Sequence, residues 1–199
     1  MSDADTLRHL LLERSVRRGE FVLSSGQRSS YYIDCRPTTM SAEGMVLIGR
    51  LGLEAIRKAG WRPRAVGGLT MGADPVAYAL AAASFGTDAQ VDAFSVRKDG
   101  KAHGMGQQIE GNFRAGDEVV VVEDVITTGG SAEKAIAAVV SAGGIVLGVL
   151  AVVDREEGGR EALERAGRGG GWGWGAGGGG RGGGGGGRRG GGGGGGWGR

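Results

Sequence analysis

The reading of the fold turns on VVVVEDVITTGGSA, residues 119–132. A strand buried on both faces reads as an unbroken β-branched run, so Val119 to Val122 is read as a central strand of a parallel sheet. Two acids follow at once. Glu123 and Asp124 need partners in a dry interior, which places them where the strand surfaces at its carboxyl end. Beyond them, Thr127, Thr128 and Ser131 bring hydroxyls, and Gly129 and Gly130 turn the chain into a helix that begins near Ser131. Backbone N–H groups at a helix start, approached through glycines, form a cradle for a phosphate. The acids suit a different group, because carboxylates accept hydrogen bonds from vicinal sugar hydroxyls. Together these parts describe a ribose bearing a 5′-phosphate. Neither GxxxxGK[ST] nor GxGxxG is present around residue 124.

Outward from this segment, strand and helix signals alternate. Strands are expected at 65–69, 91–96, 119–122 and 145–153, with helices at 73–84 and 131–142 between them. Strands interleaved with helices of this length imply an α/β fold with a doubly wound, mostly parallel sheet, whose ligands sit outside the carboxyl ends of the strands. Upstream, Ser2 with Asp5 three residues later caps a helix over 5–18, built on Leu7, Leu10 and Leu11. FVLSSG and YYIDC read as two short strands joined around Ser25 and Gly26, a small N-terminal hood. Ser41 caps a further helix through Leu47, Ile48, Leu51 and Ile56, which Gly60 stops.

The chain has 199 residues, enough for one α/β domain with a sizeable core. Its one cysteine, Cys35, cannot form an internal disulfide and reads as a small buried residue. No apolar run is long enough to span a bilayer, and the start lacks the basic-then-apolar order of a signal peptide, so a cytoplasmic setting is expected. The formal charge of +2 conceals an asymmetry: five of the 24 Lys and Arg fall within 168–199, leaving 19 basic against 22 acidic side chains before them. A nucleic-acid partner inferred from net charge would therefore rest on the tail alone, and none is expected.

Two stretches break the pattern. RKDGKAHGMGQQIEGNFR, 97–114, has neither period, and it sets Arg97, Lys98, Lys101 and His103 within seven residues among glycines. A loop that long inside a compact domain is functional or disordered. From 167 onward the chain becomes Gly, Arg and Trp, with 24 of the 46 glycines, and cannot build a packed core. Residues 1–166 are thus expected to form the domain and 167–199 a disordered low-complexity tail.

VVVVEDVITTGGS resembles the PRPP (5-phosphoribosyl 1-pyrophosphate) signature of the type I phosphoribosyltransferases. FVLSSGQRSSYYID (21–34), SVRKDGKAHG (95–104) and VVDREEGGREAL (152–163) are similar to segments of the orotate phosphoribosyltransferases. The resemblance implies transfer of a phosphoribosyl group from PRPP to orotate, giving orotidine 5′-monophosphate and pyrophosphate, in pyrimidine nucleotide synthesis. It implies that PRPP meets Arg97, Lys98, Lys101, His103, Glu123, Asp124, Val125, Ile126, Thr127, Thr128, Gly129, Gly130 and Ser131. Lys101, His103 and Asp124 would serve catalysis, with Lys101 the most sensitive. Thr127 and Arg155 would bind orotate, a planar guanidinium matching its carboxylate. GGLTMGADP, 67–75, would hold the pyrophosphate through backbone groups. Magnesium would arrive mainly on PRPP, with no protein cage for it. The loop 97–106 would complete the site of a neighbour in a homodimer. Ser24 departs from the family, several members of which place a lysine there.

Each feature has a plainer reading. An isolated Glu-Asp pair is most often a solvated strand end, and the adjoining TTGGS reverses that preference. Charge clusters such as RKDGKAH are commonly solvated. His9 reads as structural or exposed, Tyr31 and Tyr32 alternate so that one is expected in the core, and Arg155 beside Asp154 could form a surface ion pair. A PRPP-sensing regulator with an RNA-binding tail is the second functional reading. A regulator has no need of Lys101, His103 or an arginine placed for orotate, which favours the enzyme. Family members continue with ordinary structured sequence after DREEGGREAL, whereas here the chain turns to Gly, Arg and Trp, residues with guanine-rich codons, as expected of a shifted reading frame or a sequence error, which resequencing the gene and the mass of the expressed protein test.

Overall fold

The computed structural model describes residues 1–22, 26, 28–98 and 108–165. The tail expected to be disordered, with Lys101, His103 and Ser24, lies outside the described residues.

Helix α1, Asp3–Arg14, begins where the capping box puts it: Ser2 Oγ accepts from the Asp5 backbone N–H, and the Asp5 carboxylate accepts from that of Ser2. It ends earlier than the expected residue 18, because the chain is already paired. Strand β1, Val16–Val22, runs antiparallel to β2, Arg28–Ile33, with Val16 opposite Ile33 and Arg18 opposite Tyr31. This separate two-stranded sheet is the hood. A one-turn helix, α2 (Arg36–Thr39), follows. Helix α3, Ala42–Lys58, starts at Ser41, whose Oγ accepts from the Gly44 N–H.

The main sheet contains β3 (Ala65–Leu69), β4 (Asp92–Val96), β5 (Ile109–Gly111), β6 (Glu118–Ile126) and β7 (Ile145–Asp154), in the order β5-β4-β3-β6-β7. All neighbours pair in parallel except β5, which runs against β4. The short β5 had no sequence signal; its ladder closes the base of the 97–108 segment.

Helices cover both faces, which is why β6 is apolar without alternation. Val120 and Val122 join a core with α1, α3 and α4 (Ala73–Ser84), while Val119 and Val121 pack toward α5 (Gly130–Ser141) and α6 (Gly159–Arg165). Each of these valines is fully buried. Removing two methyl groups from one, as in Val121→Ala, costs about 2 kcal/mol through lost burial and the cavity left behind. Among the described residues, no helix is long and apolar enough to cross a membrane.

Candidate active site

The carboxyl ends of β3, β6 and β7 converge, and each delivers one part of the site. From β6 the chain passes through Thr127 and Thr128 into Gly129, at φ 87°, which caps α5. This left-handed conformation suits glycine, and a Cβ there would also press on the Gly159 carbonyl at 3.2 Å. The turn is held by the start of α6, whose Gly159 N–H donates to the Thr127 carbonyl at 2.9 Å. Thr128 and Ser131 face solvent. The result is a helix start with exposed hydroxyls and backbone donors, a ready anion cradle.

From β3 the segment 67–75 swings toward the acids. A Cβ on Gly72 would lie 2.5 Å from Asp124 Oδ1, so only glycine lets that backbone approach the carboxylate. The segment is tied down at Asp74, which accepts from Ser95 Oγ at 2.7 Å. Two cradle-like segments and an acid therefore meet at one edge of the sheet.

The acids differ from their expected placement. Strand β6 does not surface at Glu123; it runs on to Ile126, and Glu123 is only 4% exposed. Its Oε1 has no hydrogen-bond partner among the described residues. Such a carboxyl escapes the penalty of a buried charge by staying protonated, and burial, with a smaller contribution from Asp124, pushes it up to about 8. Asp124 is half-buried; burial raises it too, against an opposing hydrogen bond from the Val125 N–H at 2.8 Å.

This arrangement carries a pH dependence. An ordinary glutamate near 4.5 in the unfolded chain becomes a group near 8 in the folded one, so the folded state retains a proton that the unfolded state has lost. The stability contribution is full below about pH 4.5, declines as pH rises, and is gone once pH passes about 8. Without substrate, urea unfolding is expected to show the wild type losing on the order of 3 kcal/mol more than Glu123→Gln between pH 5.5 and pH 8. Parallel profiles for the two proteins would contradict a buried, protonated Glu123.

Arg155 lies just past β7 and beside Thr127, since its N–H donates to the Ile126 carbonyl at 3.0 Å. Its side chain is 6% exposed and pairs through Nη2 with Glu157 Oε1 at 2.7 Å. The surface ion pair with Asp154 is thus not what forms.

Residues 42–169 match the phosphoribosyl transferase domain family. The chain is 46% identical over 170 residues to the orotate phosphoribosyltransferase of Aquifex aeolicus, covering 84% of this chain and 92% of that one. It is likewise 46% identical over 162 residues to that of Rhodopirellula baltica, covering 79% and 84%. The chain belongs to the orotate phosphoribosyltransferase family. Among solved structures, the Mycobacterium tuberculosis orotate phosphoribosyltransferase in complex with PRPP superposes with a TM-score of 0.72 at 41% identity, covering 88% of this chain and 95% of that one.

As an orotate phosphoribosyltransferase, the chain is a phosphoribosyl-transferring enzyme with the type I fold expected from its motifs. The structure brings Glu123, Asp124, the 127–131 turn and Arg155 to one edge. Arg97 stands at the carboxyl end of β4, paired with Glu110 at 3.2 Å, and Lys98 is exposed beside it. Val125 and Ile126 end β6, and Ile126 is buried in the core against α5.

Some features escaped the sequence. Neither Tyr31 nor Tyr32 is core, at 37% and 40% exposure: the Tyr31 ring lies against the Arg155 guanidinium, and Tyr32 against Phe21. Asp34 binds Arg36 through two hydrogen bonds of 2.8 and 2.9 Å, which hold its carboxyl below the usual range, and the pair lies close enough to Asp124 to act on its charge. Their signal was faint, a lone acid two residues before an arginine. Cys35 between them is buried as expected, and burial pushes its thiol up, away from nucleophilic use.

A cavity of about 770 Å³ lies at the opposite, amino ends of the strands, around Trp61, Arg62 and Val91. It contains neither the acids nor the phosphate turn.

Proposed function

We propose that this chain transfers the phosphoribosyl group of PRPP to orotate, giving orotidine 5′-monophosphate and pyrophosphate, in pyrimidine nucleotide synthesis. The observation that carries the reading is the meeting of Asp124, the 127–131 turn and Gly72 at the carboxyl edge, with Arg155 on the adjoining strand end. The turn receives the 5′-phosphate, and Asp124 accepts from the ribose hydroxyls, with the buried carboxyl of Glu123 next to it in the strand. The backbone of 67–75 faces the pyrophosphate. Arg155 and Thr127 take the base, Arg155 through the ring carboxylate.

Charge separates along the breaking C1–O bond. Negative charge grows on pyrophosphate, where Arg97, Lys98, Lys101 and His103 supply cations, and positive charge grows on the ribose, where Asp124 lies. Among the described residues, no three His, Cys, Asp or Glu side chains converge as a metal cage. With Glu123 buried and protonated, Asp124 is the hard oxygen donor left there, too little to hold an ion alone, which fits magnesium that would be carried chiefly by PRPP oxygens and water and would neutralise their charge. In the same reading the chain acts as a cytoplasmic homodimer, the 97–106 segment of each subunit closing on its neighbour's site.

Base choice tests this directly. Pyrophosphate release from PRPP and magnesium is expected with orotate and to be lower by at least about 10²-fold with uracil, which lacks the carboxylate that Arg155 pairs. Equal release with uracil, or release with adenine instead, would contradict the assignment.

A further inference from the structure

Arg155 is held in a way that pairing with a substrate does not by itself require. Its guanidinium carbon lies 4.9 Å from the centroid of the Tyr31 ring. One edge engages Glu157 Oε1 at 2.7 Å, with the arginine side chain 6% exposed and the glutamate 29%. Its Nε has no hydrogen-bond partner among the described residues. A buried guanidinium with a donor left over is poorly satisfied as a structural element, since buried donors are as a rule all paired.

The two ends of this contact come from different parts of the fold. Tyr31 is on β2, where pairing with Arg18 fixes its register, and Arg155 follows β7. The ring thereby sets this part of the hood against the strand end. A cation drawn to an aromatic face is held near it by the ring quadrupole, so the ring limits where the guanidinium can move. Glu157, two residues along, presents to that edge the same chemical group that a substrate carboxylate would present. Both cannot occupy it.

We propose that Tyr31 is a positioning residue that holds the Arg155 guanidinium in place for the ring carboxylate of a planar substrate, and that Glu157 is the internal carboxylate this substrate displaces. The inference rests on the reading of Arg155 as the partner of orotate. Tyr31 acts through its ring face, with no role for its hydroxyl. Glu157 keeps the buried cation paired before substrate arrives and lowers apparent affinity by competing for it.

The test is steady-state kinetics of the full-length protein with orotate and PRPP varied separately. Tyr31→Leu is expected to raise the KM for orotate roughly three- to thirty-fold and leave the KM for PRPP unchanged. Tyr31→Phe restores the wild-type value, because the face remains. Glu157→Gln is expected to lower the KM for orotate about three- to tenfold. If Tyr31→Leu melts below the assay temperature, Tyr31→Met replaces it, keeping apolar bulk without a ring.

Tyr31→Phe as impaired as Tyr31→Leu, or equal rises in both KM values, would overturn the positioning role. A higher KM for orotate in Glu157→Gln would overturn the displacement. Arg155→Ala separates the levels: an unchanged KM for orotate there overturns the underlying reading of Arg155, whereas a large rise there with none in Tyr31→Leu overturns only the inference.

Discussion

A Lys101→Ala variant is expected to lose about 10²- to 10³-fold in kcat while its KM for orotate changes little. The charge that grows on pyrophosphate as its bond to C1 breaks is absent from the ground state, so a cation aimed at it stabilises the transition state selectively. Lys101 belongs to a segment whose ends are joined at the carboxyl edge, where the Arg97 N–H donates to the Gln108 carbonyl at 2.9 Å and Gln108 Nε2 donates to the Arg97 carbonyl. Its neighbours Arg97 and Lys98 leave part of the positive field in place, which sets an upper limit to the loss. Single-turnover measurement of the chemical step, beside KM values for both substrates, checks this. A variant with unchanged kcat and a raised KM for PRPP would assign Lys101 to binding alone.

Asp124→Asn is the second large effect. The amide keeps the shape, so the approach of Gly72 and the packing behind it persist, but the negative charge facing the ribose is gone. An oxocarbenium-like ribose is stabilised by a nearby carboxylate, and the ribose hydroxyls lose an ionic acceptor. Each of these losses is worth about 1.5–3 kcal/mol, so kcat/KM for PRPP is expected to fall about 10²- to 10⁴-fold. Circular dichroism and melting temperature should match the wild type or exceed it, since burial disfavours the charged form of Asp124. A fall below tenfold would place the charge requirement elsewhere.

These effects fall on residues legible in the sequence for a physical reason. Val119 to Val122, the two acids and TTGGS lie consecutively, and local order is enough to give a buried strand, an anion turn and a helix start. Ser2 with Asp5 and Ser41 with Gly44 were legible on the same ground, because caps are made between residues three apart. What escaped depends on residues far apart in the chain. The helical pattern after Arg14 gives way because Val16 to Arg18 pair with Tyr31 to Ile33. The strand β5 exists only as a partner for β4. Tyr31 looked like half of an alternating strand, and only the meeting of the hood with β7 shows its ring on Arg155.

Glu123 shows the limit of reasoning from burial cost. An acid is expected to leave a dry strand, and this one stays, because a carboxyl can shed its charge instead of its burial. Its neighbour Asp124, half-exposed and near Arg36, has another route. Two adjacent acids thus take different environments from alternate positions on one strand, a difference that needs the packed helices to be seen.

The most direct test is the loss of orotate absorbance when the purified full-length protein is mixed with orotate, PRPP and magnesium. The account predicts steady depletion that requires PRPP and yields orotidine 5′-monophosphate and pyrophosphate in equal amounts. A folded protein that binds PRPP yet leaves orotate unchanged would contradict it.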